Sequence, residues 1–273
     1  MLQTLSQTRS DAHGKFVWCE LMTTDTSAAG EFYRSVIGWN VEETTMPGAT
    51  DGQSYFMLGV VEGPTCSGVA GMMTIPPELE GRVPANWTGY VAVDDVDETT
   101  DLFAAAGGYV RRDPQDIPGV GRFAVVADPH GAVLCIMTLQ PGAEPPSEPT
   151  PDAPGTLGWV ELYADDAREA FDFYEKVFGW TVDHDMDMGA MGIYRIFASG
   201  DKQIGGMMTR PTEVPMACWG YYFNTEAIDA AVDRLVAAGG MVVNGPMEVP
   251  GGSWIVQAVD PQGAPFSLVA PKR

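Results

Sequence analysis

Short alternating apolar–polar runs recur along this chain, and in four places the period lengthens to that of a helix. "FVWCELMT" (16–23) alternates and predicts a strand. After Asp25, a residue suited to capping a helix N-terminus, Ala29, Phe32, Tyr33 and Val36 fall at i, i+3, i+4 and i+7. That spacing gives one apolar helical face. Gly38 stops the helix, and Trp39 can fold back on it. "SYFMLGV" and "SGVAGMMTI" follow as strands. The cycle then restarts: "WTGYVAVDD" reads as a strand and "VDETTDLFAAAGG" as a helix with a Val96, Thr99, Leu102, Phe103 stripe. "RFAVVADPHGAVLCIMT" reads as a hairpin whose Asp-Pro-His-Gly turn has type I chemistry.

The whole pattern is written twice. "EFYRSVIGW" (31–39) returns as "DFYEKVFGW" (172–180), and "WCELMTTD" (18–25) aligns without gaps to "WVELYADD" (159–166). Ala170, Phe173, Tyr174 and Val177 repeat the helix face, and Gly179 repeats its stop. "GMMT" at 71 recurs at 206, "AAGG" at 105 recurs at 237, and "DPHGA" at 128 recurs as "DPQGA" at 260. The offset drifts from 141 to 135 to 132, as small loop deletions would produce. Between the copies, "QPGAEPPSEPTPDAPG" carries six prolines and predicts a stiff linker without helix or sheet. The expected organisation is a loose arm at 1–15, a domain at 16–140, a linker at 141–155 and a second domain at 156–273. The Tyr and Trp of the repeated phrase are expected in the core or at its edge.

Charge narrows the partners. Thirty-seven acids against 15 bases give −22, which repels a phosphate backbone and anionic membranes and favours neutral or cationic ligands. No apolar run approaches bilayer length, and the polar opening segment lacks the apolar stretch of a secretory signal. Four cysteines without a CxxC pair suit a reduced, cytoplasmic protein, monomeric or homodimeric.

Carried by "VWCELMTTDTSAAGEFYRSVIGW", "WVELYADDAREAFDFYEKVFGW", "YVAVDDVDETTDLFAAAGG" and the two DPxG turns, the pattern resembles the vicinal oxygen chelate superfamily of glyoxalase I, bleomycin-resistance proteins and extradiol dioxygenases. The similarity covers nearly all of 16–271 and looks most like tandem two-domain glyoxalase-like proteins. It implies an α+β fold: four βαβββ units forming two glyoxalase-like domains with concave mixed or antiparallel sheets, the ligand lying in the hollow.

The resemblance also implies where a metal would be held: on the first strand of a unit, seven residues before the helix-opening Asp, and seven residues after the Asp of the DPxG turn. In this chain those places fall on Trp18 and Trp159, on Thr88 and Gly220 in the second units, and on Cys135 and Ser267. None is the His, Gln or Glu the resemblance implies, so no metal and no cofactor is expected. The three histidines, His13 in the arm, His130 in the turn and His184 in a loop, are read as exposed polar residues.

Strand alternation places Trp18, Glu20 and Met22 on one face, matched by Trp159, Glu161 and Tyr163. An aromatic wall beside a carboxylate can bind a polar or cationic ligand or take a proton. The competing expectation is that both acids are paired across the sheet, purely structurally. Thr88, Tyr90 and Cys135 are further lining candidates, with Tyr222, Asn224 and Ser267 as their counterparts; Cys135 is expected to be a small buried filler. The expected function is binding of a small organic molecule. The alternative is a glyoxalase-type lyase or isomerase with Glu20 or Glu161 as base and Arg122 or backbone N–H groups stabilising charge.

Overall fold

The computed structural model describes residues 9–45, 54–140 and 149–273. The first half runs β1 (Phe16–Thr23), α1 (Thr26–Val36), β2 (Asn40–Thr45), β3 (Ser54–Glu62), β4 (Thr65–Thr74), β5 (Asn86–Ala92), α2 (Val96–Ala105), β6 (Tyr109–Ile117), β7 (Gly121–Ala127) and β8 (Val133–Leu139). The second runs β9 (Leu157–Ala164), α3 (Ala167–Phe178), β10 (Thr181–Asp187), β11 (Ile193–Ser199), β12 (Lys202–Thr209), β13 (Cys218–Asn224), α4 (Ile228–Ala237), β14 (Met241–Glu248), β15 (Trp254–Val259) and β16 (Pro265–Ala270). These are the expected four βαβββ units. The helix starts are those the caps predict: Asp25 accepts from the Ala28 N–H, and Asp166 from those of Arg168 and Glu169.

Each half makes one eight-stranded sheet, in the orders β2-β3-β4-β1-β5-β8-β7-β6 and β10-β11-β12-β9-β13-β16-β15-β14. The sheets are mixed: β1 is parallel to β4 and β5 to β8, while β1 and β5 meet antiparallel at the centre. Both units of a sheet come from the same half of one chain.

Alternation decides which face of each sheet is dry. Cys19, Leu21 and Thr23 are buried, whereas Trp18, Glu20 and Met22 point the other way and are half-buried. The buried faces and the helices of both halves share one continuous core. Phe223 packs on Trp39 and Trp87, and Phe16 packs on Trp180 and Trp219. At Gly89, any Cβ would collide with Phe16 and Tyr221, and its N–H donates to the Tyr221 hydroxyl at 2.6 Å. The two sheets therefore stand back to back, and their other faces point outward.

The repeated phrase is the clamp between halves. Tyr33 donates to Asp260 in the DPQG turn of the second half at 3.1 Å, and Tyr174 donates to Asp128 in the DPHG turn of the first at 3.2 Å. Trp87 and Trp219 donate in turn to those two tyrosine hydroxyls. Trp39 donates to the Gly155 carbonyl and Trp180 to the Gly14 carbonyl, each in the segment leading into the other half. Both aspartates also cap their own turns through backbone N–H groups, yet burial still pushes their pKa values up. Removing one partner of such a buried pair costs about 1–3 kcal/mol.

Three expectations change here. Residues 9–15 are not loose: Arg9 donates to the Phe178 carbonyl, and Ser199 donates to that of His13. Residues 1–8, and 141–148 of the linker, lie outside the described residues. His13 and His130 are largely buried rather than exposed, beside Asp94 at 3.0 Å and Glu169 at 3.6 Å. His184 lies on β10 rather than in a loop, exposed and against Asp183.

Candidate functional site

Cross-strand partners share a face, so the register reads each outer face row by row. In the first half one row is Trp18, Tyr90, Cys135, Val125 and Arg112, on β1, β5, β8, β7 and β6. In the second half the same row is Trp159, Tyr222, Ser267, Gln257 and Asn244. The neighbouring row holds Glu20 between Gly71 and Thr88, matched by Glu161 between Gly206 and Gly220. The two outer faces are named the first and second hollow, after the concave sheet the resemblance implies. In the first, Tyr90 and Cys135 are only 5% and 3% exposed, packed with Trp18, Phe123, Val125, Ile117 at the end of β6 and Val120 in the turn after it.

In the first hollow, the two Glu20 oxygens accept from Tyr55 and Tyr90, both at 3.1 Å. Trp18 donates to the Tyr55 hydroxyl at 3.2 Å and so fixes the ring. Glu20 is half-buried, and desolvation raises its pKa against the opposing pull of the two phenols and of Arg112. Tyr55 crosses to Glu20 over Gly71, where a Cβ would strike its hydroxyl; Tyr194 crosses Gly206 in the same way. The repeated "GMM" thus has two roles. Its glycine seats a tyrosine on the outer face, while Met72 and Met207 are core.

In the second hollow the acid is enclosed. Glu161 is 7% exposed and accepts from Tyr222 at 2.7 Å, with the Tyr163 and Tyr194 hydroxyls turned to the same carboxylate. Gln257 donates to Tyr163 at 2.7 Å and Tyr222 at 2.8 Å, Asn244 donates to Gln257, and Trp159 donates to Tyr194. Every polar group in this ring has a protein partner.

Trp18, Tyr90 and Cys135 share the row beside Glu20, and Trp159, Tyr222 and Ser267 the row beside Glu161. Thr88 stands directly opposite Glu20 but donates to Asn86. Asn224 is not the counterpart of Tyr90. It lies one pleat farther along β13 and donates to Thr156 at the sheet's end, its side chain lying close over Gly158 of β9. Burial pushes the Cys135 thiol pKa up, as befits a filler rather than a nucleophile. Arg122 is unavailable to either acid, being tied to Asp97 and Asp116. Sequence reasoning passed over Tyr55, Tyr194, Arg112 and Gln257. The two tyrosines left a signal: each stands near the start of the third strand of its unit, and each pairs across the sheet with the second methionine of "GMM", two residues past its glycine.

The metal-ligand places implied by the resemblance hold an indole, a hydroxyl and a thiol in the first half, and an indole, a bare backbone and a hydroxyl in the second. Among the described residues no three His, Cys, Asp or Glu side chains converge. This donor set does not fit a divalent metal bound in the usual way of that family.

Comparison with known proteins gives a consistent picture. The family model of the Glyoxalase/Bleomycin resistance protein/Dioxygenase superfamily matches residues 15–136 and 156–268. The Mycobacterium tuberculosis protein CFP32, named provisionally as a glyoxylase, is 35% identical over 93% of this chain and 94% of its own length. The anthracycline biosynthesis protein DnrV of Streptomyces peucetius is 34% identical over 94% of each chain. Among solved structures, the Mn(II)-bound glyoxalase from Novosphingobium aromaticivorans matches with TM-score 0.65 and 15% identity, over 95% of this chain and 83% of that one. The 2,3-dioxygenase LapB from Pseudomonas sp. KL28 matches with TM-score 0.64 and 16% identity, over 95% and 93%. At these identities the two structures speak for the fold alone.

Proposed function

The chain belongs to the Glyoxalase/Bleomycin resistance protein/Dioxygenase superfamily, and we propose that within it the chain binds a small planar organic molecule in the first hollow, with Glu20 as the polar anchor. One observation carries this reading: Glu20 is half-buried on an aromatic floor and holds only two phenol donors, while its counterpart Glu161 is sealed. A carboxylate with free acceptor capacity beside the partly buried rings of Trp18 and Phe123 offers stacking area and one strong hydrogen-bond acceptor. The name of DnrV points the same way, since anthracyclines are built on fused planar rings. The acid excess keeps neutral and cationic molecules favoured, and a cytoplasmic setting goes with the four free cysteines. Among the described residues no helix is long and apolar enough to cross a membrane.

Titration with 1,2-dihydroxyanthraquinone, followed by tryptophan fluorescence and calorimetry, tests the reading. One equivalent should bind per chain. Glu20→Gln should weaken binding about ten- to a hundredfold, the loss of a hydrogen bond to a charged group, and Glu161→Gln should leave it unchanged. Equal binding in both hollows, or an unaffected Glu20→Gln variant, would overturn it.

A second reading rests on the raised Glu20 pKa, which moves this acid toward the range of a general base. In that case the hollow performs glyoxalase-type proton transfer, and the provisional name of CFP32 agrees. Turnover of the methylglyoxal hemithioacetal, lost in Glu20→Gln and kept in Glu161→Gln, is the expected result. Absence of turnover in the parent protein would leave binding alone.

A further inference from the structure

Building on the ligand-binding reading of the first hollow, we propose that Arg112 is its specificity-determining residue, and that the ligand class is a hydroxy-aromatic or enolic compound whose acidic O–H ionises against this guanidinium. The register puts Arg112 in the same row, and so on the same face, as Tyr90 and Cys135. Its guanidinium lies over the Phe123 ring at 5.6 Å, which directs the charge along the aromatic wall. Its field reaches Glu20 and Cys135.

No carboxylate is paired with Arg112 among the described residues. Arg122, on the partner strand of the same hairpin, holds two. Arg112 is exposed on the outer face, so its charge is open to a ligand on that face. The corresponding residue of the second half, Asn244, is consumed in donating to Gln257.

Glu20 and Arg112 stand at opposite ends of the row system. Four strand spacings separate β1 from β6, roughly 19 Å along the sheet, with Trp18, Val125 and Phe123 on the face between them. The remaining span suits a small fused-ring system with a hydroxyl donating to Glu20 at one end and an oxyanion at the other. Charged and titratable groups facing that space are Glu20, Tyr55, Tyr90, Cys135 and Arg112. Ionisation transfers the ligand's O–H proton to solvent and leaves the electron pair on the oxygen facing Arg112; no redox partner is needed.

The test uses the full chain and 1,2-dihydroxyanthraquinone, whose visible spectrum reports phenol ionisation. In the parent protein the bound dye should ionise at lower pH than the free dye, its ionisation constant raised on the order of tenfold or more, as an opposite charge at contact distance produces. Arg112→Leu should abolish that shift, Arg112→Lys should restore part of it, and Arg122→Leu should leave it intact. Circular dichroism checks that each variant is folded. Dye that binds with the same ionisation in parent and Arg112→Leu overturns the Arg112 assignment while sparing the binding reading. Dye that does not bind the parent protein overturns both.

Discussion

The two hollows share a frame and differ in what closes it. Trp, Glu and two tyrosines recur in register: Trp18, Glu20, Tyr55 and Tyr90 against Trp159, Glu161, Tyr194 and Tyr222. In the second hollow Tyr163, Gln257 and Asn244 complete a ring of hydrogen bonds around the acid. In the first, the same places hold Met22, Val125 and Arg112, none of which is hydrogen-bonded to Glu20. A buried carboxylate needs donors. Where the protein supplies them all, the acid is structure. Where it supplies only part, capacity remains for a ligand. The duplication has kept one frame and enclosed its acid in only one half.

The comparison can be broken most forcefully at the two glycines beneath the tyrosines. Gly206→Ala drives a methyl into the Tyr194 ring and Gly71→Ala drives one into the Tyr55 hydroxyl. Each should destabilise the fold by about 1–3 kcal/mol in denaturant titration, with the larger loss at Gly206, where the clash falls on the Tyr194 ring beside the enclosed Glu161. Equal losses would mean that the rings do not differ in rigidity.

The acids themselves should dissociate stability from binding. Glu161→Ala leaves three phenols without their acceptor and should lower stability by about 1–3 kcal/mol. Glu20→Ala should lower dye affinity while changing the melting temperature much less. A transplant sharpens the contrast: Met22→Tyr with Val125→Gln installs the second hollow's polar closure in the first. Dye binding should fall about tenfold or more while stability moves by about 1 kcal/mol or less.

The smallest expected effect is on pH dependence. The Glu20 pKa is raised in the folded state above its ordinary value of about 4.3. The native state therefore keeps the proton where the unfolded chain has released it, so ν of the native state exceeds that of the unfolded state. The resulting stabilisation is fully present below the unfolded pKa and is lost as pH rises through the folded one. Glu20→Gln should flatten this fall in urea-derived stability. Asp128 and Asp260, raised by burial in the same direction, should leave a remainder.

Much of this was legible along the chain. The helix faces, the Asp caps, the paired turns and the outward set of Trp18, Glu20 and Trp159, Glu161 all follow from periodicity, because alternation and the 3.6-residue turn act within a few residues. The clamp was legible only as a repeat. Tyr33 is a core residue by its spacing, but its acceptor is Asp260, 227 residues away. Arg122 looked available from its position, and only the placement of Asp97 at the start of α2 showed it engaged.

The sequence by itself determined that there are two copies of a twice-repeated unit, which strand residues face outward, and which residues stand where the resemblance implies metal donors. Tertiary structure alone decided that the halves stand back to back, that Tyr55 rather than a nearer residue reaches Glu20, and that Arg112 lies over Phe123 in one half while its counterpart Asn244 donates to Gln257 in the other. The physical reason is that strand pairing and sheet curvature bring together residues from distant segments, and which of them satisfies a buried carboxylate depends on that register, not on spacing along the chain.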